Sequence, residues 1–167
     1  MASKVLWFDA ETLKLMRVRE LKAGFGSLTW VDWRNGSWWA CFANYDGKGG
    51  EPGRDHRDTV LVRYRPDFKI MAVYRFPDSV LTRFSPRSSS GGAWGSDGLL
   101  YVTGHDRREL YALRMPRKGQ VLRHVATVAT STEGQAIGWD PLTPRLLWSI
   151  NRHTSDLVVS QVPEIIR

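Results

Sequence analysis

Ser88–Pro116 reads SSSGGAWGSDGLLYVTGHDRRELYALRMP, and its punctuation decides the fold. Three short apolar runs, GGAW, LLYVTG and ELYAL, are separated by Ser-Asp-Gly and by a charged His-Asp-Arg-Arg corner, the pattern of strands joined by turns. A fourth run, VLRHVATVA from Val121 to Ala129, follows the turn at Pro116–Gly119. Four antiparallel strands in about 45 residues have the size of one β-propeller blade, with strands A to D numbered from the axis outward.

The same unit fits the flanking sequence. Before it, LTWVDW, WWACFANY, TVLVRYR and IMAVYRF (Leu28–Phe76) supply A to D; after it, QAIGWD, RLLWSIN and DLVVSQV (Gln135–Val162) supply A to C. Trp30, Trp94 and Ile137 align in strand A, and Trp39, Leu100 and Leu147 in strand B. The opening VLWFDAETLKLMRVRE reads as two outer strands around an Asp-Ala-Glu-Thr turn, with a helix over Ala10–Leu21 as the alternative. The chain is therefore an all-β propeller module of about three and a half blades. Residues 1–23 form the outer strands of one blade, 24–77 and 78–130 a blade each, and 131–167 a partial blade. Propellers close with about four to eight blades. The count predicts a ring completed by a homo-oligomer or by a missing propeller half, because open sheet faces and edges must be covered.

The chain's 167 residues suit one domain, and 42% hydrophobic content suffices for a core. Eight tryptophans read mainly as aromatics buried between stacked sheets. No signal-peptide core or membrane-length apolar run occurs, so the chain reads as soluble with its compartment open. The single Cys41, inside WWACF, cannot form an internal disulfide and reads as a small core residue.

Net charge is +7 with a sequence pI near 9.9. The arginines are scattered through strands and turns, with no basic tail and no helix to enter a groove, which disfavours a nucleic-acid partner. No nucleophile elbow, P-loop, dinucleotide fingerprint or zinc-protease motif is present. The charged insertion NYDGKGGEPGRDHRD, Asn44–Asp58, offers Asp46, Asp55, His56 and Asp58, but their spacing matches neither an EF-hand nor a tight zinc pattern, and a solvated loop is the preferred reading.

Blade geometry gathers residues that are distant in sequence. The D-to-A and B-to-C corners open on one face, which collects Ser90, Glu133 and Gln135 with Asn44, Tyr45, Asp46, His105, Asp106, Asn151 and His153 as candidate ligand-binding residues. Glu133, His105 and Asp106 are the candidates for acid–base catalysis. Each has an ordinary alternative, a surface carboxylate for Glu133 and an Asx turn for His105-Asp106. The A-to-B turns at Asn35-Gly36, Asp97-Gly98 and Pro141–Pro144 lie on the opposite face and are expected to be tight connections.

The run TEGQAIGWDPLTPRLLWSINRHTSDLVVSQV resembles blades of the six-bladed propeller superfamily that includes gluconolactonases of the regucalcin type and NHL-repeat proteins. The likeness spans about 30 residues and otherwise rests on blade periodicity. In the lactonases a Glu heading such a strand binds a divalent metal, so the resemblance implies Glu133 as a metal ligand and a divalent ion as cofactor. The family's further Asn and Asp ligands have no recognisable counterpart, so its catalytic site is not carried over. The function read from the sequence is a binding scaffold for a small molecule or protein partner; the alternatives are a metal-assisted hydrolase of lactonase type and a basic-surface nucleic-acid binder.

Overall fold

The computed structural model describes residues 3–21 and 24–166. Strand covers 47% of the chain and helix 6%, against roughly a quarter strand in an ordinary domain. Strands β1 (Ser3–Phe8) and β2 (Leu15–Leu21) form an antiparallel hairpin. Its turn is set by Asp9, whose carboxylate accepts the backbone N–H groups of Glu11 and Thr12 at 3.2 and 2.7 Å; no helix forms there.

Strands β3 (Ser27–Arg34), β4 (Ser37–Ala43), β5 (Val60–Tyr64) and β6 (Ile70–Arg75) pair antiparallel in chain order as a first four-stranded blade. Strands β7 (Gly91–Trp94), β8 (Leu100–Thr103), β9 (Glu109–Arg114) and β10 (Arg123–Ala129) repeat the arrangement. A three-stranded sheet of β11 (Ile137–Trp139), β12 (Leu146–Asn151) and β13 (Asp156–Gln161) follows. The strands thus fall where the apolar runs and turn residues place them.

Alternate residues of each middle strand point into different cores, which is why these strands are apolar throughout. On β4, Ala40 and Phe42 join Val5 and Trp7 of the hairpin, while Trp39 and Cys41 face the second blade and meet Leu100, Val102, Tyr111 and Leu113. On β8 and β9, Leu100 and Leu113 face back to the first blade, while Tyr101, Leu110 and Ala112 face forward to Leu147, Ile137 and Trp139. Cys41 lies in the first of these junctions, fully buried, and burial pushes its thiol up to about 12. That thiol is a packing group rather than a nucleophile.

One element was not legible in the sequence. The connection after β6 contains a helix, α1 (Asp78–Phe84), which starts after Pro77 and buries Val80, Leu81 and Phe84 in the core between the first two blades. Its ring Phe84 lies 5.7 Å from Phe76 and 5.6 Å from Tyr111, so the helix seals one end of that core. Seven residues are about two turns, too few for a helical period to show.

The register also corrects one alignment. Trp39, Leu100 and Leu147 are opposite Asp32, Trp94 and Trp139, whereas Trp30 and Ile137 share their position with Gly92. The cause is steric. A methyl group on Gly92 would lie 2.4 Å from Cε2 and Cζ2 of Trp30, so the indole of the first blade occupies the space a side chain on β7 would fill. The indole N–H completes the junction by donating to Ser89 Oγ at 3.0 Å.

Gly92→Ala is therefore expected to destabilise the chain by about 1–3 kcal/mol through overpacking. Gly138→Ala, where no atom lies within 4 Å of the added methyl, should stay within roughly 0.5 kcal/mol of the parent. Urea unfolding of the two variants checks this; equal midpoints would show that the junction tolerates a side chain.

Candidate functional site

The corners of the second blade and the last sheet bring six charged or titratable side chains into one hydrogen-bonded network, joined by Arg152 Nε at 3.4 Å from His153 Nε2. Glu133, between β10 and β11, has Oε2 2.7 Å from Nε2 of His153, between β12 and β13. Its other oxygen accepts from Arg108 Nη2 at 3.4 Å. His105, between β8 and β9, has Nδ1 2.6 Å from Asp106 Oδ1, and Arg152 Nη2 donates to the same oxygen at 3.3 Å. Arg152 Nη1 lies 2.7 Å from His105 Nε2.

His153, hydrogen-bonded to Glu133, holds that carboxyl below its ordinary value, and Arg108 adds to the effect. Partial burial works against ionisation of Asp106, yet the His105 hydrogen bond and the charges of His105, Arg152 and Arg87 leave its carboxyl lowered. Both groups are therefore stabilised as anions, in a network that neutralises them locally.

The remaining candidates separate into scaffold and surface. Asn44 is fully buried; its Nδ2 donates to the carbonyls of Phe25 and Asp58 at 2.9 and 3.0 Å, and its Oδ1 accepts the Glu51 N–H at 2.9 Å. Its amide is thus spent on pinning the ends of the insertion. Tyr45 packs beneath Gly49, where an added methyl would lie 2.8 Å from its ring. Gln135 offers its backbone carbonyl to Thr103 Oγ1 at 2.7 Å, and Ser90 gives its backbone N–H to the Thr103 carbonyl at 3.1 Å. Asn151 Oδ1 accepts the backbone N–H of His153 at 3.0 Å, which orients that corner.

Asp46 belongs to a second group. Its Oδ1 lies 2.6 Å from His56 Nδ1 and also accepts the His56 backbone N–H at 3.2 Å, and this contact lowers its carboxyl. Among the described residues, Asp46, Asp55 and His56 are the group of three whose ligand atoms all lie within 4.8 Å of one another; Glu133 is outside it. The insertion is more ordered than its composition suggests: Asp55 and Asp58 form a capping box on a short helical turn, and the Asp46 N–H donates to the Pro86 carbonyl at 3.1 Å.

Two participants were not among the sequence candidates, Arg108 and Arg152. A signal for the second was present, since Arg152 follows Leu147 by five residues, as His105 follows Leu100 and Asn44 follows Trp39. On the opposite face, the A-to-B turns border a cavity of about 540 Å³.

No family model matches the chain, and no curated protein matches it in sequence. Among solved structures, hydrazine synthase of Kuenenia stuttgartiensis, a β-propeller-containing protein, superposes with a TM-score of 0.56 at 13% identity over 95% of this chain and 51% of that one. The chain thus spans about half the length of that neighbour, and at this identity the likeness shows the fold alone. Among the described residues, no helix is long and apolar enough to cross a membrane.

The lowered carboxyls make a signed prediction. Asp46, Asp106 and Glu133 bind protons less readily folded than unfolded, so the stability they contribute is fully present above the unfolded carboxylate values, about pH 4. It is lost as pH falls through their folded values. The urea midpoint should hold near neutrality and drop below about pH 4, and the double variant Asp46→Asn, Glu133→Gln should flatten the drop. An unchanged acid limb in that variant would exclude these two carboxyls as its source.

Proposed function

We propose that the chain is a propeller scaffold for protein association, whose open ends are covered by a second copy of itself. The observation that carries this reading is a pair of apolar sheet faces turned outward. On the hairpin, the cross-strand pairs Leu6–Val18 and Phe8–Leu15 are 47, 46, 54 and 53% exposed. On the last sheet, Trp148–Val159 and Ile150–Leu157 are 41, 43, 38 and 68% exposed, while Leu147 and Ser149 between them are buried. In a closed propeller such faces are interior, each packed on the next blade.

The accessible area gives the same answer. A compact monomer of this mass exposes roughly 8,400 Å² by size scaling, whereas the chain exposes 9786 Å². The excess is of the order that a standard protein interface buries. The last sheet holds three strands where the two preceding blades hold four, so the free edge of β13 is the natural place for a strand of the partner.

The scaffold reading is preferred to the hydrolase reading because the Glu133 carboxylate is engaged by His153 and Arg108 and stands outside the one three-ligand group among the described residues. It is preferred to the nucleic-acid reading because several arginines are internally committed: Arg34 to the Gly95 carbonyl, Arg83 to Glu109 and Arg145 to Asp97.

Sedimentation equilibrium should give twice the chain mass of 19.1 kDa. Val18→Glu and Leu157→Glu, each on an exposed position, should separately return the species to monomer with an unchanged circular dichroism spectrum. A parent chain that remains a stable monomer at high concentration overturns the proposal.

A further inference from the structure

At the A-to-B end of the axis, we infer a binding site for a neutral saccharide. The cavity of about 540 Å³ is walled by one chain only, so the inference does not depend on ring closure. Its volume falls within the roughly 300–1,000 Å³ of small-molecule sites. Each of the three sheets after the hairpin contributes a tryptophan to the wall: Trp33 from the end of β3, Trp94 from the end of β7 and Trp139 from the end of β11. Register explains two of these, since Trp94 and Trp139 occupy equivalent places opposite Leu100 and Leu147.

The charged side chains around the cavity are each hydrogen-bonded within the fold. Asp32 accepts the backbone N–H groups of Trp33 and Trp94 at 2.7 and 2.9 Å. Arg34 donates to the Gly95 carbonyl at 2.9 Å and lies over the Trp94 ring at 4.7 Å. Asp140 accepts the Leu142 and Thr143 N–H groups and the Trp148 indole N–H at 3.0, 2.7 and 3.0 Å. Arg145 donates to the carbonyls of Val162 and Pro163, to Asp97 and to the Tyr101 hydroxyl. Two carboxylates and two guanidinium groups also cancel in sum. The wall thus carries no net positive charge, and Arg145 is paired with Asp97 besides, which disfavours ligands carrying phosphate or carboxylate, nucleotides and sugar acids among them.

What remains on offer is aromatic surface, chiefly that of Trp33. Trp33 is 46% exposed, although its position at a strand end gives it no solubility role. The indole N–H groups of Trp94 and Trp139 are buried without an acceptor in the structure. An exposed indole face beside neutral polar groups suits a pyranose, whose C–H face lies on the indole while its hydroxyls meet the neighbouring polar side chains. Asn35 and Ser96 add neutral polar groups to the wall. A proline-rich peptide would also meet aromatics, but it needs an elongated furrow, whereas this wall is drawn from three turns converging on one axis.

The indole N–H resonances of the ¹⁵N-labelled intact chain provide the test, with chitotetraose, cellotetraose and mannotetraose as probes and a proline decapeptide as comparison. At least one tetrasaccharide should move the Trp94 and Trp139 signals, leaving that of Trp7, in the hairpin core, in place. Trp33→Ala should weaken that response by about tenfold, and Trp33→Phe, which keeps a stacking face, should retain most of it. Movement with the proline peptide alone, no movement with any probe, or full affinity in Trp33→Ala overturns the inference. If the alanine variant fails to fold, the titration of the parent chain still decides.

Discussion

Backbone must touch backbone or ring at the axis of this fold, and the structure depends on the residues that allow it. Gly92 lies under the Trp30 indole, a methyl on Gly91 would stand 2.2 Å from the Gln135 carbonyl oxygen, and one on Gly134 would overlap the Gly104 carbonyl. These contacts set the spacing of the three inner strands. A side chain at any of them would wedge neighbouring sheets apart and open the cores on both sides, because each sheet buries residues in two directions. Glycine is required here by space rather than by backbone dihedral angle.

The close approach has a polar counterpart at each end of the inner strands. Asp32 of β3 accepts the Trp94 N–H of β7 at 2.9 Å, and Thr103 of β8 donates its hydroxyl to the Gln135 carbonyl ahead of β11 at 2.7 Å. Tyr101 gives its hydroxyl hydrogen to Asp97 at 2.6 Å while Arg145 reaches both, tying the second blade to the third. Burial raises the Tyr101 hydroxyl, and Asp97, although burial opposes its ionisation, is held low by Tyr101, the Leu99 N–H and Arg145. Sheets held in this way act as a rigid frame, so the corners project from fixed positions.

Most of this frame was legible because the relevant signals are local. Each of the thirteen strands carries its own apolar run, and Asp-Gly or Asn-Gly punctuates the A-to-B turns of the first two blades. The convergence of Glu133, His105, Asp106 and His153 was legible for a different reason, namely that blade topology fixes which corners share a face. The illegible parts depend on contacts between distant residues. Nothing local marks Trp30 as the occupant of the Gly92 position, and seven residues of α1 give no period. Asn44 looked like a ligand group because its side chain is polar, yet its amide closes three backbone hydrogen bonds in the interior.

The two faces of the frame differ in what their charges leave over. On the B-to-C face, each histidine contacts a carboxylate at 2.6 or 2.7 Å, and apart from the buried His56 the side chains stay partly or largely open to solvent. Such pairs respond to pH and salt, and they suit a surface that must remain hydrated. On the A-to-B face, carboxylates are bound mainly by backbone N–H groups, whose dipoles cannot move away, and guanidinium groups are bound mainly by carbonyls. Fixed backbone partners leave the neighbouring indoles as the groups with surface to offer. A scaffold that neutralises its charges on one face through the backbone and on the other through mobile side chains presents two chemically different ends from one repeated unit. The difference arises at the strand ends, where the turn residues are free to vary, and not in the repeated core, where packing fixes them.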